Sequence, residues 1–469
     1  MVFSSLIFLF GFLPVVLLAY NVLDRRLRLP FLLLANLVFY GWGEPVYVLL
    51  MLFTTAVNYG FGLGVGRWRQ ARPALARLCL IAAAVISLGL LAWFKYAGFL
   101  AGLWNAMPFA LKLDVPKVAL PIGISFYTFQ ALSYTVDVWR GDTNAQRNPV
   151  TFGVYITLFP QLIAGPIVRY KDVAAQLDGR CARAAQFARG VRLFVIGLGK
   201  KVLIANRMGL LWDALRPGAA TNGILPAWVG VAAYTFQIYF DFSGYSDMAC
   251  GLGNMLGLEF MRNFNYPYIS RSITEFWRRW HISLSTWFRD YVYIPLGGSR
   301  RGVARTTLNL LVVWLLTGLW HGASWNFVAW GLYYFILLAF EKILLLKLLD
   351  GMPAAVRHLY TLLLVMLGWV LFYFDGDINQ CFGYIGAMFG GSGGLIAPDA
   401  LNIVVRYLPI LLAAALACTP VPARLWARLG LDARPVGAVL EPLLCLGVLA
   451  LCVAVLASHS YNPFLYFRF

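Results

Sequence analysis

The sequence predicts an all-α polytopic membrane protein, and three observations carry that expectation. Of 469 residues, 61% are hydrophobic and only 12% are charged, against about 25% charged in an ordinary soluble domain. The mean hydropathy is +0.73, and apolar runs near the 20 or so residues that cross a bilayer recur along the whole chain. The loops between them are rich in arginine and give a net charge of +18. In a membrane protein such an excess marks cytoplasmic loops and contact with anionic lipid. No base-reading motif accompanies it, so nucleic acid is set aside as a partner.

Taken in order, candidate spans lie at 1–22, 29–43, 45–66, 77–94, 119–139, 193–212, 226–256, 306–321, 324–346, 355–374, 401–418 and 437–457. The expectation is about 11–13 transmembrane helices. The first run lacks a basic leader and a small-residue cleavage site, so it reads as a helix that stays on the protein. Basic loops around Arg25, Arg67, Arg169, Arg262 to Arg305 and Arg424 fall in the cytoplasm, which puts both termini outside it. The alternation of sides fails at 149–168, interrupted by Pro160, Gly165 and Pro166, and at 276–297, closed by Pro295, Gly297 and Gly298. Both read as re-entrant elements. Non-helical backbone at membrane depth survives only where protein buries it or it lines a cavity, so the two imply an internal chamber. With no internal repeat and no long linker, residues 1–469 read as a single membrane domain. The seven cysteines are scattered without any Cys-x-x-Cys pair, which supports neither a metal site nor a disulfide framework.

Three polar groupings stand out against this apolar background. The run from Asn309 to Gly331 carries His321 near its middle, and a titratable side chain inside a span is by default functional. Imidazole exchanges a proton near neutral pH, which suits a general base acting on a hydroxyl. On a continuous helix Thr317, Gly318, Ser324 and Trp325 share its face, offering a hydroxyl, room for substrate and an indole to pack on. The run from Tyr234 to Asp247 places Asp241, Ser243, Tyr245 and Asp247 in one span, the composition of a wet cavity or of a hydrogen-bonded packing network. The run from Ser272 to Pro295 opens with capping-box spacing at Ser272 and Glu275. It continues as a cationic, tryptophan-rich helix suited to a membrane surface, with His281 where the chain turns inward. Arg278, Arg279 and Arg289 are suited either to lipid or to the phosphates of a nucleotide-type donor. His358 and His459 sit near span ends without polar company and read as structural.

The stretch from Trp277 through His281 to Gly298, followed by Trp320-His321-Gly-Ala-Ser-Trp-Asn326-Phe, resembles the membrane-bound O-acyltransferase (MBOAT) family. Within it, the alginate O-acetyltransferase branch is the most similar. Tyr239 to Asp247, Phe159 to Pro166 and the N-terminal Met-Val-Phe-Ser-Ser are also similar to that branch. The resemblance implies a multi-helix bowl with re-entrant pieces and a central chamber, in a bacterial inner membrane. It implies a cytosolic acyl donor and an acceptor on the outer side. It makes His321 the catalytic histidine and His281 the second family position. A periplasmic transferase or a polysaccharide acceptor is implied as partner.

The expected chemistry is acetyl transfer from acetyl-CoA, with no tightly bound cofactor and no metal. His321 would take the hydroxyl proton, and Asn326, the Trp320 indole and His281 are the candidate donors to the developing oxyanion. A straight helix from Arg305 puts His321 about 24 Å along its axis, which implies that donor and acceptor enter from opposite sides. Two alternatives from other classes remain open at this point: a transporter or exporter, whose substrate path would also be polar, and a non-catalytic scaffold of a polysaccharide secretion complex.

Overall fold

Each of the twelve candidate spans is helical in the computed structural model, and no strand occurs among the described residues. The structure describes the chain apart from residues 109–110, 117, 178, 180, 375, 392–393, 432–433, 459–460 and 466–469. The helices are α1 (Leu13–Val22), α2 (Arg25–Gly41), α3 (Tyr47–Trp68), α4 (Pro73–Asn105), α5 (Ile124–Arg140), α6 (Pro149–Thr157) and α7 (Phe159–Leu162). They continue as α8 (Ala184–Gly199), α9 (Asn206–Leu215), α10 (Ile224–Met255), α11 (Ile273–Arg279), α12 (Ile282–Phe288) and α13 (Gly302–His321). The last are α14 (Trp325–Phe340), α15 (Ala354–Tyr373), α16 (Pro398–Ala417) and α17 (Pro435–Ser458).

Six of these are long and apolar enough to cross a membrane: α3, α4, α13, α15, α16 and α17. More than half of the residues of α16 and α17 are exposed, and most of those are apolar, the surface of a helix that faces lipid. By contrast α5 is buried nearly all round. Because protein surrounds it, α5 tolerates Gln130 and Asp137, just as α10 tolerates Gln237 and Asp241.

Backbone contacts divide the chain into two compact units, Met1–Phe194 with Ser246–Met261, and Val195–Tyr245 with Arg262–Phe469. In the first, Asn58 of α3 ties three helices together. Its Nδ2 donates to Ser87 Oγ on α4 at 2.9 Å, and its Oδ1 accepts from Thr135 Oγ1 on α5 at 3.1 Å. The expected re-entrant element at 149–168 is here a broken helix, α6 and α7 separated at Leu158, where the backbone is extended (ψ 109°). The break is fully buried, so its main chain needs an internal partner. Asn36 of α2 supplies it: Oδ1 accepts the Phe159 N–H at 3.1 Å and Nδ2 donates to Thr157 Oγ1 at 3.3 Å.

In the second unit α13 and α14 form a tight hairpin, with α15 packed against α14. Among its π-helical turns are those at Lys200–Ala205, Arg289–Tyr293 and Glu341–Leu345. The element at 276–297 is again a broken helix, α11 and α12 parted at Trp280 and His281. Its N-terminus is held twice. Ser272 Oγ accepts from the Glu275 N–H as the sequence predicts. The fully buried Glu341 carboxylate accepts the N–H groups of Ile273 (2.7 Å) and Thr274 (2.8 Å) and the Thr274 hydroxyl. A carboxylate at a helix N-terminus satisfies donors that have no partner inside the helix.

Replacing Asn36 with leucine leaves the Phe159 N–H buried without an acceptor. The expected cost is about 1–3 kcal/mol, read as a lower midpoint of thermal unfolding in detergent, with Asn36→Asp keeping more of the stability than Asn36→Leu.

Candidate active site

The α13 helix ends on His321 because Gly322 adopts an extended backbone, and α14 starts after Ser324. The expectation that Ser324 and Trp325 share the His321 face therefore fails: they belong to the next helix, and Trp325 is 61% exposed. Nor does Gly318 leave room for substrate. A Cβ there would lie 2.3 Å from the Phe327 carbonyl oxygen, and one at Gly331 would lie 2.5 Å from that of Trp314. The two glycines let the α13 and α14 backbones touch. Thr317 lies one turn before His321, but its hydroxyl donates to the Val313 carbonyl at 2.7 Å. What surrounds the buried imidazole is aromatic. Trp320, Trp330 and Phe372 meet it edge-on with centroids at 4.9, 5.1 and 5.1 Å, a cage that fixes the ring plane.

His281 occupies the break between α11 and α12 in a left-handed conformation (φ 44°, ψ 56°). Only Tyr266 shares a positive φ among the described non-glycine residues. Such strain persists where the surroundings enforce it. Here residues 263–265 enforce it: the Asn265 N–H donates to the Arg279 carbonyl and the Ile282 N–H to the Asn263 carbonyl, both at 2.9 Å. The Asn263 side chain completes the brace. Its Oδ1 accepts the Ser283 N–H at 3.1 Å and the Ser283 hydroxyl at 2.9 Å, and lies 3.1 Å from His281 Nδ1. A backbone N–H only donates, so the atom facing it is the amide oxygen, and Nδ1 must carry a proton to bond it. In the neutral ring Nε2 then presents a lone pair, so neutral His281 accepts hydrogen bonds there. The expected use of His281 as an oxyanion donor is not open to the neutral ring.

The two histidines face one space. A cavity of about 240 Å³ is lined by Trp277, Arg278, His281, Arg289, Thr317 and His321, among others. A smaller one, about 20 Å³ and room for about one water, is lined by Asp241, Phe242, Trp369, Leu465 and again His321. His321 and Trp280 line both and form the partition they share. Trp320 packs between the histidines, its ring 5.9 Å from His281.

The remaining predicted residues divide. Arg278 and Arg289 lie exposed at the larger cavity, Arg289 paired with Asp290 at 2.7 Å. Arg279 turns away to Glu275 and the Asn265 carbonyl. Asn326 is buried and lines neither cavity, with no acceptor for Nδ2 among the described residues. Asp241 is ion-paired with Lys201 at 2.6 Å, both side chains 3% exposed, and accepts the Leu465 N–H at 2.8 Å. Lys201 also donates to the Pro463 carbonyl, so residues 463–465 strap this pair. Ser243 and Tyr245 are buried on α10 but reach neither cavity, and Tyr245 packs on Phe464 with centroids 4.8 Å apart. Asp247 is half-buried and belongs to the first unit. His358 Nδ1 lies 3.1 Å from the Ser270 carbonyl, and His459 lies outside the described residues. Among the described residues no cluster of His, Cys, Asp and Glu can hold a metal.

Sequence reasoning missed Asn263, Lys201 and Glu341. The charges of Lys201 and Glu341 inside apolar runs were a signal; Asn263, in a loop without periodicity, gave none.

A membrane-bound O-acyltransferase family model matches residues 123–348, a range that holds both histidines, Asn263 and Glu341. The protein named "Probable alginate O-acetylase AlgI" in Pseudomonas putida is 40% identical over 494 aligned positions covering all of both chains. The protein of that name in Pseudomonas aeruginosa is 47% identical over 79% of this chain and 72% of its own. The peptidoglycan O-acetyltransferase of Helicobacter pylori is 34% identical over 79% of this chain and 77% of its own. The fold is that of an all-α polytopic membrane protein. The chain belongs to the MBOAT family, and its class of chemistry is O-acyl transfer.

Substituting leucine for Asn263 frees the His281 ring to turn and to change tautomer. Acetyl-transfer kcat should fall roughly 10- to 100-fold, part of what a positioned proton-transfer group contributes. Steady-state kinetics on a variant with wild-type elution in gel filtration checks this.

Proposed function

We propose that the protein transfers an acetyl group from cytosolic acetyl-CoA to a hydroxyl of an exported polysaccharide, directly or through a periplasmic acetyltransferase. One observation carries this reading: His321 lines two separate cavities. A residue so placed can serve a donor in one cavity and an acceptor in the other. The larger, with Arg278 and Arg289 at its edge, suits the donor, since guanidinium groups bind phosphate. The smaller, by Asp241 and Leu465, suits the approach of the acceptor.

In this reading the hydroxyl oxygen attacks the thioester carbonyl carbon while His321 takes the hydroxyl proton. The C–S bond then breaks, the ester forms, and the departing thiolate receives the proton from the imidazolium. The Trp320 indole, packed between the two histidines, is the proposed donor to the tetrahedral oxyanion, one such donor being worth on the order of 3–4 kcal/mol. Asn326, which lines neither cavity, is not assigned this role. His281, through its Nε2 lone pair, is proposed to orient the donor or relay a proton. The names of the relatives, alginate and peptidoglycan O-acetylating proteins, support an exported cell-envelope or secreted polymer as acceptor. A multi-pass inner-membrane protein with both termini in the periplasm fits this direction of transfer.

His321→Ala should lower turnover of labelled acetyl-CoA by about 10²–10⁴-fold, the contribution of a general base. The measurement uses detergent-purified protein with a periplasmic extract as acceptor. Wild-type turnover in a well-folded mutant would end the general-base assignment. Arg278→Ala with Arg289→Ala should act differently: KM for acetyl-CoA rises about tenfold, as for lost charge-assisted contacts of a kcal/mol or so, while kcat changes little.

A further inference from the structure

The first unit holds two adjoining cavities remote in sequence from both histidines. One, of about 840 Å³, is lined by Arg67, Arg69 and Arg147 together with Thr143 and Asn144. The other, of about 500 Å³, is an apolar groove along α3, lined by Val57, Phe61, Trp68 and Cys79 and floored by Gly60 and Gly64. Leu63 and Arg67 line both, so the groove opens into the arginine chamber.

We propose that these two cavities form one binding site for an anionic phospholipid, with the phosphate among the arginines and an acyl chain in the groove. Charge is the first argument. Arg67 and Arg147 make no ion pair among the described residues, and Arg69 donates only to the Val138 carbonyl. The nearby acids do not neutralise them, because Lys171 holds Asp142 at 2.8 Å and Asp137 at 3.2 Å. Three guanidinium groups share one chamber with two small polar side chains, a set that matches a phosphate diester.

Length is the second argument. Arg67 stands at the C-terminal end of the span α3, and the groove runs back to Ala56. Eleven residues of helix rise about 16 Å, close to half of the roughly 30 Å hydrocarbon thickness of a bilayer. The charged chamber thus lies at headgroup level when the groove spans one leaflet. Shape is the third. Trp68 leans over Gly64, whose Cβ would lie 3.1 Å from the indole, so an acyl chain in the groove runs along that ring.

Trp68 also reports occupancy. The full-length protein in detergent is titrated with phosphatidylglycerol or phosphatidylcholine carrying brominated tails, and tryptophan fluorescence is followed. Quenching by the anionic lipid should reach its midpoint at a mole fraction roughly tenfold lower, since each basic residue adds appreciably to attraction for anionic lipid. That difference should vanish in Arg67→Gln/Arg147→Gln and in Trp68→Phe, and shrink in Arg147→Gln alone. Both arginines are exposed, and thermal unfolding at the wild-type temperature confirms folding. Equal curves for the two lipids in wild type, or an undiminished preference in the arginine variants, would overturn the proposal. So would reversal of the preference by millimolar inorganic phosphate, which would make this a free-anion site.

Discussion

A helix broken inside a protein must find partners for the amide groups it exposes, and this fold answers that demand twice with asparagine. Asn36 takes the Phe159 N–H at the first break and Asn263 takes the Ser283 N–H at the second. In each case the same amide holds a second group across the break, Thr157 in one and His281 in the other. An unpaired buried N–H costs about as much as a lost hydrogen bond. The breaks therefore exist because those two side chains do. At the second, backbone repair and chemistry are the same contact: the oxygen that satisfies the chain also sets the tautomer of His281.

His321 is held by different means. It comes last on its helix, and aromatic rings confine it on several sides. The helix end itself is positioned by the approach of α13 to α14 at Gly318 and Gly331. The two histidines thus differ in kind. One sits in a left-handed backbone braced by Asn263, the other at a helix end ringed by aromatic side chains, and Trp320 touches both.

The helices were legible because hydropathy is a sum over many residues, and each of the twelve runs became a helix. The first break was legible too, since Pro160 interrupts an apolar run. The second, at Trp280 and His281, falls inside a stretch read as one helix, of which the sequence marks only the closure at Pro295. What sequence misjudged was local phase. Treating 309–331 as one helix put Ser324 and Trp325 beside His321, whereas Gly322 ends the helix and resets the face. The glycines that suggested space for substrate are filled by the neighbouring backbone. Asp241 drew notice as one of two acids in a span, but its partner Lys201 lies forty residues away and its brace at Leu465 more than two hundred. Pairings across such separations leave no trace in a single sequence.

Three π-helical turns of the second unit open on a charged residue, Lys200, Arg289 or Glu341. A π turn carries one residue more than the α turn it replaces, and one residue is about 100° of rotation on a helix of 3.6 residues per turn. Everything beyond the turn is therefore rotated against everything before it. Removing any single residue from Glu341–Leu345, even an exposed leucine, would regularise the hydrogen bonding there. It would also swing Glu341 out of phase with the rest of its helix, and with it the carboxylate that seats α11. In these helices the number of residues is under as tight a constraint as their identity, so short deletions far from either histidine reach the site as surely as substitutions within it.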